Sequence, residues 1–281
     1  MPKLIAQMND ASLDMSIFVG DLFDASCQDS EYTVAMQRFN TFNGPLVYVP
    51  GDNEWTDCHV RGGDPVERLA HIRRTMFPSP KSFGRKPIEL DQQRPDYPEN
   101  SRWHIGRVQF LSVNVAGSNN NHVDDFNRVE PYTTRGVADR EAAEAEYLAR
   151  DDVVRTWLHE GFAIARRDSA PAIVLAMHAD PGFGVPAADR ATARVNGFDR
   201  FLAALVLEAK EYGKPVVLIH GDSHRFVHDK PLIDTATGLI VDNVTRIETV
   251  GSPSAGWTEV VLDPSNPDAL RVELHLIPVG S

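Results

Sequence analysis

Four short apolar runs in this chain each end on a polar side chain able to bind a ligand, and that repetition limits the possible fold more than any other feature. Ser16-Ile-Phe-Val19 runs into Gly20-Asp21, and Pro45-Leu-Val-Tyr-Val49 into Pro50-Gly-Asp-Asn-Glu-Trp55. Ala172-Ile-Val-Leu-Ala-Met177 runs into His178, and Pro215-Val-Val-Leu-Ile219 into His220-Gly-Asp-Ser-His224. Short apolar runs closed by Gly or Pro read as buried strands. Buried strands that deliver Asp, Asn and His from their C-terminal ends predict an α/β sheet with a ligand site along that edge.

The segments between the strands support this. Residues 2–10 read as a helix closing at Asn9-Asp10, and residues 30–43 as another with Tyr32, Met36, Phe39 and Phe42 at helical spacing. Asp64-Pro-Val-Glu67 is a helix start, with an acidic N-cap, Pro at the first position and Glu at the third. Residues 78–101 read as a long loop, 103–105 and 108–115 as a hairpin about Gly106-Arg107, and 138–167 and 194–212 as helices. Beyond Pro231 the chain alternates short β segments with turns. An α/β chain is expected to carry a strand before its first helix, and the residues ahead of 2–10 supply none.

A net charge of −12 argues against a nucleic-acid partner. It leaves room for a phosphorylated substrate, because bound cations would reverse the local field. No run approaches a membrane span, and the first residues lack a signal-peptide core. The apolar share of 42% suits a globular domain with a full core, and no break in composition divides residues 1–281.

Asp21, Asp52, His178, Asp222 and His224 together suit divalent metal ions. Mixed imidazole and carboxylate donors favour Mn, Fe or Zn, one ion or two. Two ions about 3.5–4 Å apart can activate water and clamp a phosphoryl oxygen. The five residues in order resemble the calcineurin-like metallophosphoesterase superfamily. Its Gly-Asp motif is matched by Gly20-Asp21, its Gly-Asn-His-Glu motif by Gly51-Asp52-Asn53-Glu54, its lone His by His178, and its Gly-His-x-His motif by Gly221-Asp222-Ser223-His224. The Pro-Gly-Asp-Asn-Glu-Trp form is similar to a bacterial subgroup.

The resemblance implies one domain over residues 1–281, an α/β sandwich of two facing mixed sheets flanked by helices. The activity it implies is hydrolysis of a phosphate mono- or diester by a metal-bound hydroxide, with Asp21 bridging and a phosphorylated small molecule as substrate. The superfamily's opening Asp-x-His motif and its strand are missing here. Asn53 replaces a catalytic His and can orient a phosphate oxygen without acting as a general acid. His59 and His122 are candidates for the proton donor, and Asn119 for a phosphate contact. His220 is expected to be a core histidine.

By the same resemblance the loops holding Cys27 and Cys58 adjoin, implying a disulfide and an oxidising compartment. A start codon set too far downstream would explain both the missing strand and the missing export signal. A non-catalytic descendant binding a metal or a phosphorylated ligand is the second expectation. A purely structural α/β protein is the third.

Overall fold

The computed structural model describes residues 1–24, 26–123, 136–266 and 269–278. In chain order the elements begin with α1 (Pro2–Asp10), β1 (Ser16–Phe18), α2 (Asp29–Phe39), β2 (Leu46–Tyr48), a 3-10 turn (Thr56–Arg61) and α3 (Pro65–Thr75). Then come β3 (Asp91–Gln93), β4 (Tyr97–Ile105), β5 (Val108–Ser112), the short turn α4 (Gly117–Asn120), α5 (Val137–Arg167), β6 (Ile173–Ala176) and α6 (Asp199–Tyr212). The last stretch holds β7 (Val216–His220), β8 (Val227–Asp229), β9 (Ile233–Asp234), β10 (Leu239–Ile240), β11 (Val244–Glu248), β12 (Gly256–Val261) and β13 (Arg271–Leu276).

The protein is α/β, built on a seven-stranded mixed sheet in the order β3-β4-β5-β6-β7-β11-β8. The central β5, β6, β7 and β11 are parallel, and antiparallel strands border them on both sides. Strands buried on both faces need apolar residues at every position, and β6 is buried throughout. On one face α5 and α6 bring Trp157, Leu158, Phe162, Phe201 and Leu205 against Leu111, Leu175 and Leu218.

The other face meets two small sheets. Val108, Val174, Val217 and Ile247 pack with Val260 and Val272 of the β12–β13 hairpin. Trp103 and Phe110 pack with Ile17 and Val47 of the parallel β1–β2 pair. Residues of α1, α2 and α3 (Ile5, Tyr32, Phe39, Leu69 and Ile72) cluster with Leu46 and Tyr48 on β2. The result is helices, sheet, sheet and helices in layers. The second sheet layer is divided, because among the described residues β1–β2 and β12–β13 share no pairing.

The expected loop at 78–101 needs correction, since it contains β3 and the first half of β4. Pro98 and the polar Glu99-Asn100-Ser101 hide that strand in the sequence. These polar side chains are buried yet partnered: Glu99 takes Arg73 in a two-point pair, and Asn100 Oδ1 accepts from the Asn114 N–H at 2.8 Å. The predicted helix at 194–212 opens as a 3-10 turn, Asn196–Phe198, before α6. The cap at Asp64 forms as the sequence implies, its carboxylate accepting from Val66 and Glu67 N–H. No helix among the described residues is long and apolar enough to cross a membrane.

Phe162 is fully buried where α5 meets the sheet. Phe162→Ala should therefore destabilise the protein by about 3–5 kcal/mol, measured by urea denaturation followed by circular dichroism.

Candidate metal centre

His178 leaves β6 fully buried, and both of its ring nitrogens are committed. Nδ1 donates to the carbonyl of Val19 at 2.6 Å, an oxygen that can only accept. Nε2 therefore faces the other way, toward three carboxylates: Asp52 Oδ1 at 3.2 Å, Asp21 Oδ1 at 3.7 Å and Asp222 Oδ1 at 3.8 Å. A neutral imidazole with its proton on Nδ1 presents a lone pair at Nε2. A lone pair facing carboxylates is repulsive, so the arrangement calls for either an imidazolium or a cation between them. Asp21, Asp52 and His178 form a buried group whose ligand atoms lie within 4.8 Å of one another and could hold a metal ion. Asp21 Oδ1 is buried without a hydrogen-bond partner, as a ligand atom awaiting a cation would be.

The loops reach this point through unusual backbone. Asp21, Asp222 and His224 all have positive φ, at 61°, 75° and 61°. For residues other than glycine such conformations cost of order 1–3 kcal/mol each. Gly20, at φ 87°, lets the loop after β1 cross the loop after β2: a Cβ there would lie 2.4 Å from His178 Nδ1 and 2.5 Å from Gly51 Cα. Glu54, fully buried, ties the two loops together. It accepts from the N–H groups of Gly51 at 2.6 Å, Asp21 at 3.2 Å and Leu22. Tyr32 donates to the Glu54 carbonyl at 2.6 Å.

Crowding shifts the titrating groups. Asp222 is pushed up to about 7, first by burial, with Asp52 adding and His178 opposing. Burial pushes Glu54 up to about 8 with help from Asp21, against His178 and the backbone donors. Burial likewise raises Asp21, against His178. Burial would also raise Asp52, but the hydrogen bond and charge of His178 outweigh it and hold Asp52 low. Burial disfavours protonated His178, yet Asp52, Asp222 and Asp21 together raise it well above the usual imidazole range.

The remaining sequence candidates fall in different places. His224 Nε2 bonds Asp21 Oδ2 at 2.7 Å, and its Nδ1 donates to the Ser252 carbonyl at 2.7 Å. Asn53 caps Asp52, its N–H donating to Oδ1 at 2.8 Å, and the residue is half-buried. The side chain of Asn119 serves structure: Oδ1 accepts from the Gly197 N–H, and Nδ2 donates to the Asn196 side chain and the His122 carbonyl. His122 Nδ1 bonds Glu144 on α5 at 2.8 Å, and its ring lies against Tyr147. His59 is buried, with Nδ1 donating to the Thr56 carbonyl at 2.6 Å. His220 is a fully buried core residue that burial holds down at about 4.

Sequence reasoning missed Gly117 and Ser118. A Cβ on Gly117 would lie 2.2 Å from Asp52 Oδ2 and 2.8 Å from Asp222 Oδ1, so only glycine fits that wall. Ser118 Oγ is 2.6 Å from Asp57 Oδ1 and 3.2 Å from Asp52 Oδ2. Ser118 to Asn121 all have positive φ, between 50° and 63°, so α4 is a left-handed turn. Buried Arg150 clamps it, donating to the Asn120 side chain at 2.7 Å and carbonyl at 2.9 Å, and to the Asn114 carbonyl at 2.8 Å. Its guanidinium sits over the Trp55 ring at 5.0 Å. The run Gly-Ser-Asn-Asn-Asn held the signal, since Asn is the ordinary residue that best tolerates left-handed backbone.

Cys27 and Cys58 are joined in a disulfide, with Cα atoms 5.8 Å apart and a sequence separation of 31. It links the loop after Asp21 to the turn after Asp52.

Two outcomes follow. In the metal-free protein, Asp21, Asp222, Glu54 and His178 have folded-state values above their unfolded ones. Their stability contribution is complete below the unfolded values and is lost as pH rises through the folded ones. Asp52 acts oppositely, but only below about pH 4, and His220, held down at about 4, acts oppositely up to about pH 6.5, offsetting one of the four. The melting temperature of metal-free protein should therefore fall from pH 5 to pH 8 in scanning calorimetry, and saturating Mn²⁺ should flatten the slope. Replacing both cysteines by Ser should cost about 3–4 kcal/mol in the chain-entropy view. It should also weaken Mn²⁺ binding in titration calorimetry, because Asp21 and Asp52 lose their tether. No family model, curated protein or solved structure matches the chain.

Proposed function

We propose that this protein is a metal-dependent phosphoester hydrolase of the calcineurin-like metallophosphoesterase type. The observation that carries the reading is the convergence of Asp21, Asp52 and Asp222 on Nε2 of His178, from four separate strand ends. These four residues would hold a first ion, and Asp21 with His224 would offer donors to a second. A bound divalent ion supplies a Lewis acid and lowers the pKa of water at the site. The chain's own residues do the rest. Val19 fixes the orientation of His178, Ser118 and the Asn53 N–H hold the Asp52 carboxylate, and the Asp180 N–H holds Asp222 Oδ2 at 2.7 Å. Asn53 would orient a phosphate oxygen with its carboxamide. Its lack of an acidic proton favours substrates whose leaving group needs no protonation.

A second reading, a metal-binding protein without turnover, draws on the donor count. Among the described residues only Asp21 and His224 would face a second ion, and His224 already spends Nε2 on Asp21.

Assay of p-nitrophenyl phosphate and bis(p-nitrophenyl) phosphate with Mn²⁺, Zn²⁺ and Mg²⁺, beside metal analysis, separates the two. The hydrolase reading expects turnover with at least one metal. It also expects Asp52→Asn to lower kcat/KM at least ~100-fold, about 2.7 kcal/mol of transition-state stabilisation. Stoichiometric metal with zero turnover on both esters would leave the second reading standing.

A further inference from the structure

A cavity of about 430 Å³ lies between the divided halves of the second sheet layer. Its floor is the apolar face of the seven-stranded sheet, with Val108, Phe110, Val174, Ile219 and Ile247. One wall is β1 and the other is β12. Among the described residues β1 pairs only with β2, and β12 only with β13. The pairing phase shows which backbone groups are left over. Ser16 N–H donates to Pro45 and the Phe18 carbonyl accepts from Val49, so Ser16 and Phe18 face β2, and Ile17 turns its N–H and C=O to the cavity side. Ile277 N–H donates to the Ala255 carbonyl, so by antiparallel alternation Gly256, Thr258 and Val260 turn theirs away from β13. Ile17, Gly256, Thr258 and Val260 all line the cavity.

We infer that this cleft is a docking slot for one extended, apolar β-strand, inserted between β1 and β12. An apolar floor alone would suit any greasy ligand. Two open strand edges on opposite walls offer alternating donors and acceptors, and an extended backbone satisfies both edges at once. The size agrees: a strand segment fills roughly 160 Å³ per residue at ~3.3 Å rise, ~4.8 Å strand spacing and ~10 Å sheet spacing, which gives room for about three residues. β1 itself is three residues long. The inference stands on edges and volume, independently of the metal reading.

The test is isothermal titration of the whole protein with a capped heptapeptide, Lys-Val-Ile-Val-Ile-Ser-Lys. Its partners are the same peptide N-methylated at alternate backbone amides, and palmitate. The inference expects 1:1 binding of the plain peptide, at least tenfold weaker binding of the N-methylated form, and slowed hydrogen exchange at the Ile17 and Thr258 amides. Val260→Arg, which sets a charge in the slot, should abolish binding, with folding checked by circular dichroism. No binding of the plain peptide, equal binding of the N-methylated form, protection confined to other strands, or palmitate displacing the peptide without backbone protection would each overturn it.

Discussion

The structure depends on one buried imidazole whose orientation is settled by a backbone carbonyl. Because Val19 takes the Nδ1 proton of His178, the opposite nitrogen is pinned toward Asp21, Asp52 and Asp222. Such a group is electrostatically incomplete without positive charge at its centre. A proton can supply that charge, and so can a divalent ion, whose greater charge answers three carboxylates better. The buried partnerless oxygen of Asp21 belongs to the same account.

Much of the surrounding architecture resists the repulsion this creates. Three of the five candidate ligands sit in left-handed backbone, as does every residue from Ser118 to Asn121. Such strain persists only where neighbours over-determine it. Glu54 gathers three N–H groups from two loops, Arg150 grips α4 from the core side, and the disulfide ties the far ends of the loops together. Strained geometry held by buried networks is how proteins keep preorganised sites.

The strand ends were legible because period and punctuation agree: β1, β2, β6 and β7 are short, apolar and closed by Gly, Pro or His. Asp21, Asp52, His178, Asp222 and His224 could be read for the same reason, each lying within a few residues of such an end. The first half of β4 could not be read, since Glu99 and Asn100 become core residues only through Arg73 and Asn114, partners distant in sequence. Asn119 misled for a related reason. Its position after a strand pointed toward the site, but left-handed backbone turned its carboxamide to Asn196 and Gly197 and brought Gly117 and Ser118 to the carboxylates instead. The divided second layer could not be read, because its shape as a walled cleft follows from where β12 packs against the large sheet.

The Cys27–Cys58 bond closes a ring of chain that contains α2, β2 and the loop bearing Asp52, with Asp21 just outside the knot. A backbone cut anywhere between Gln28 and Asp57 would open that ring without releasing a fragment. The residues that gather around His178 would stay in one covalent molecule, so a nick in this part of the chain leaves no piece of the centre free to diffuse away.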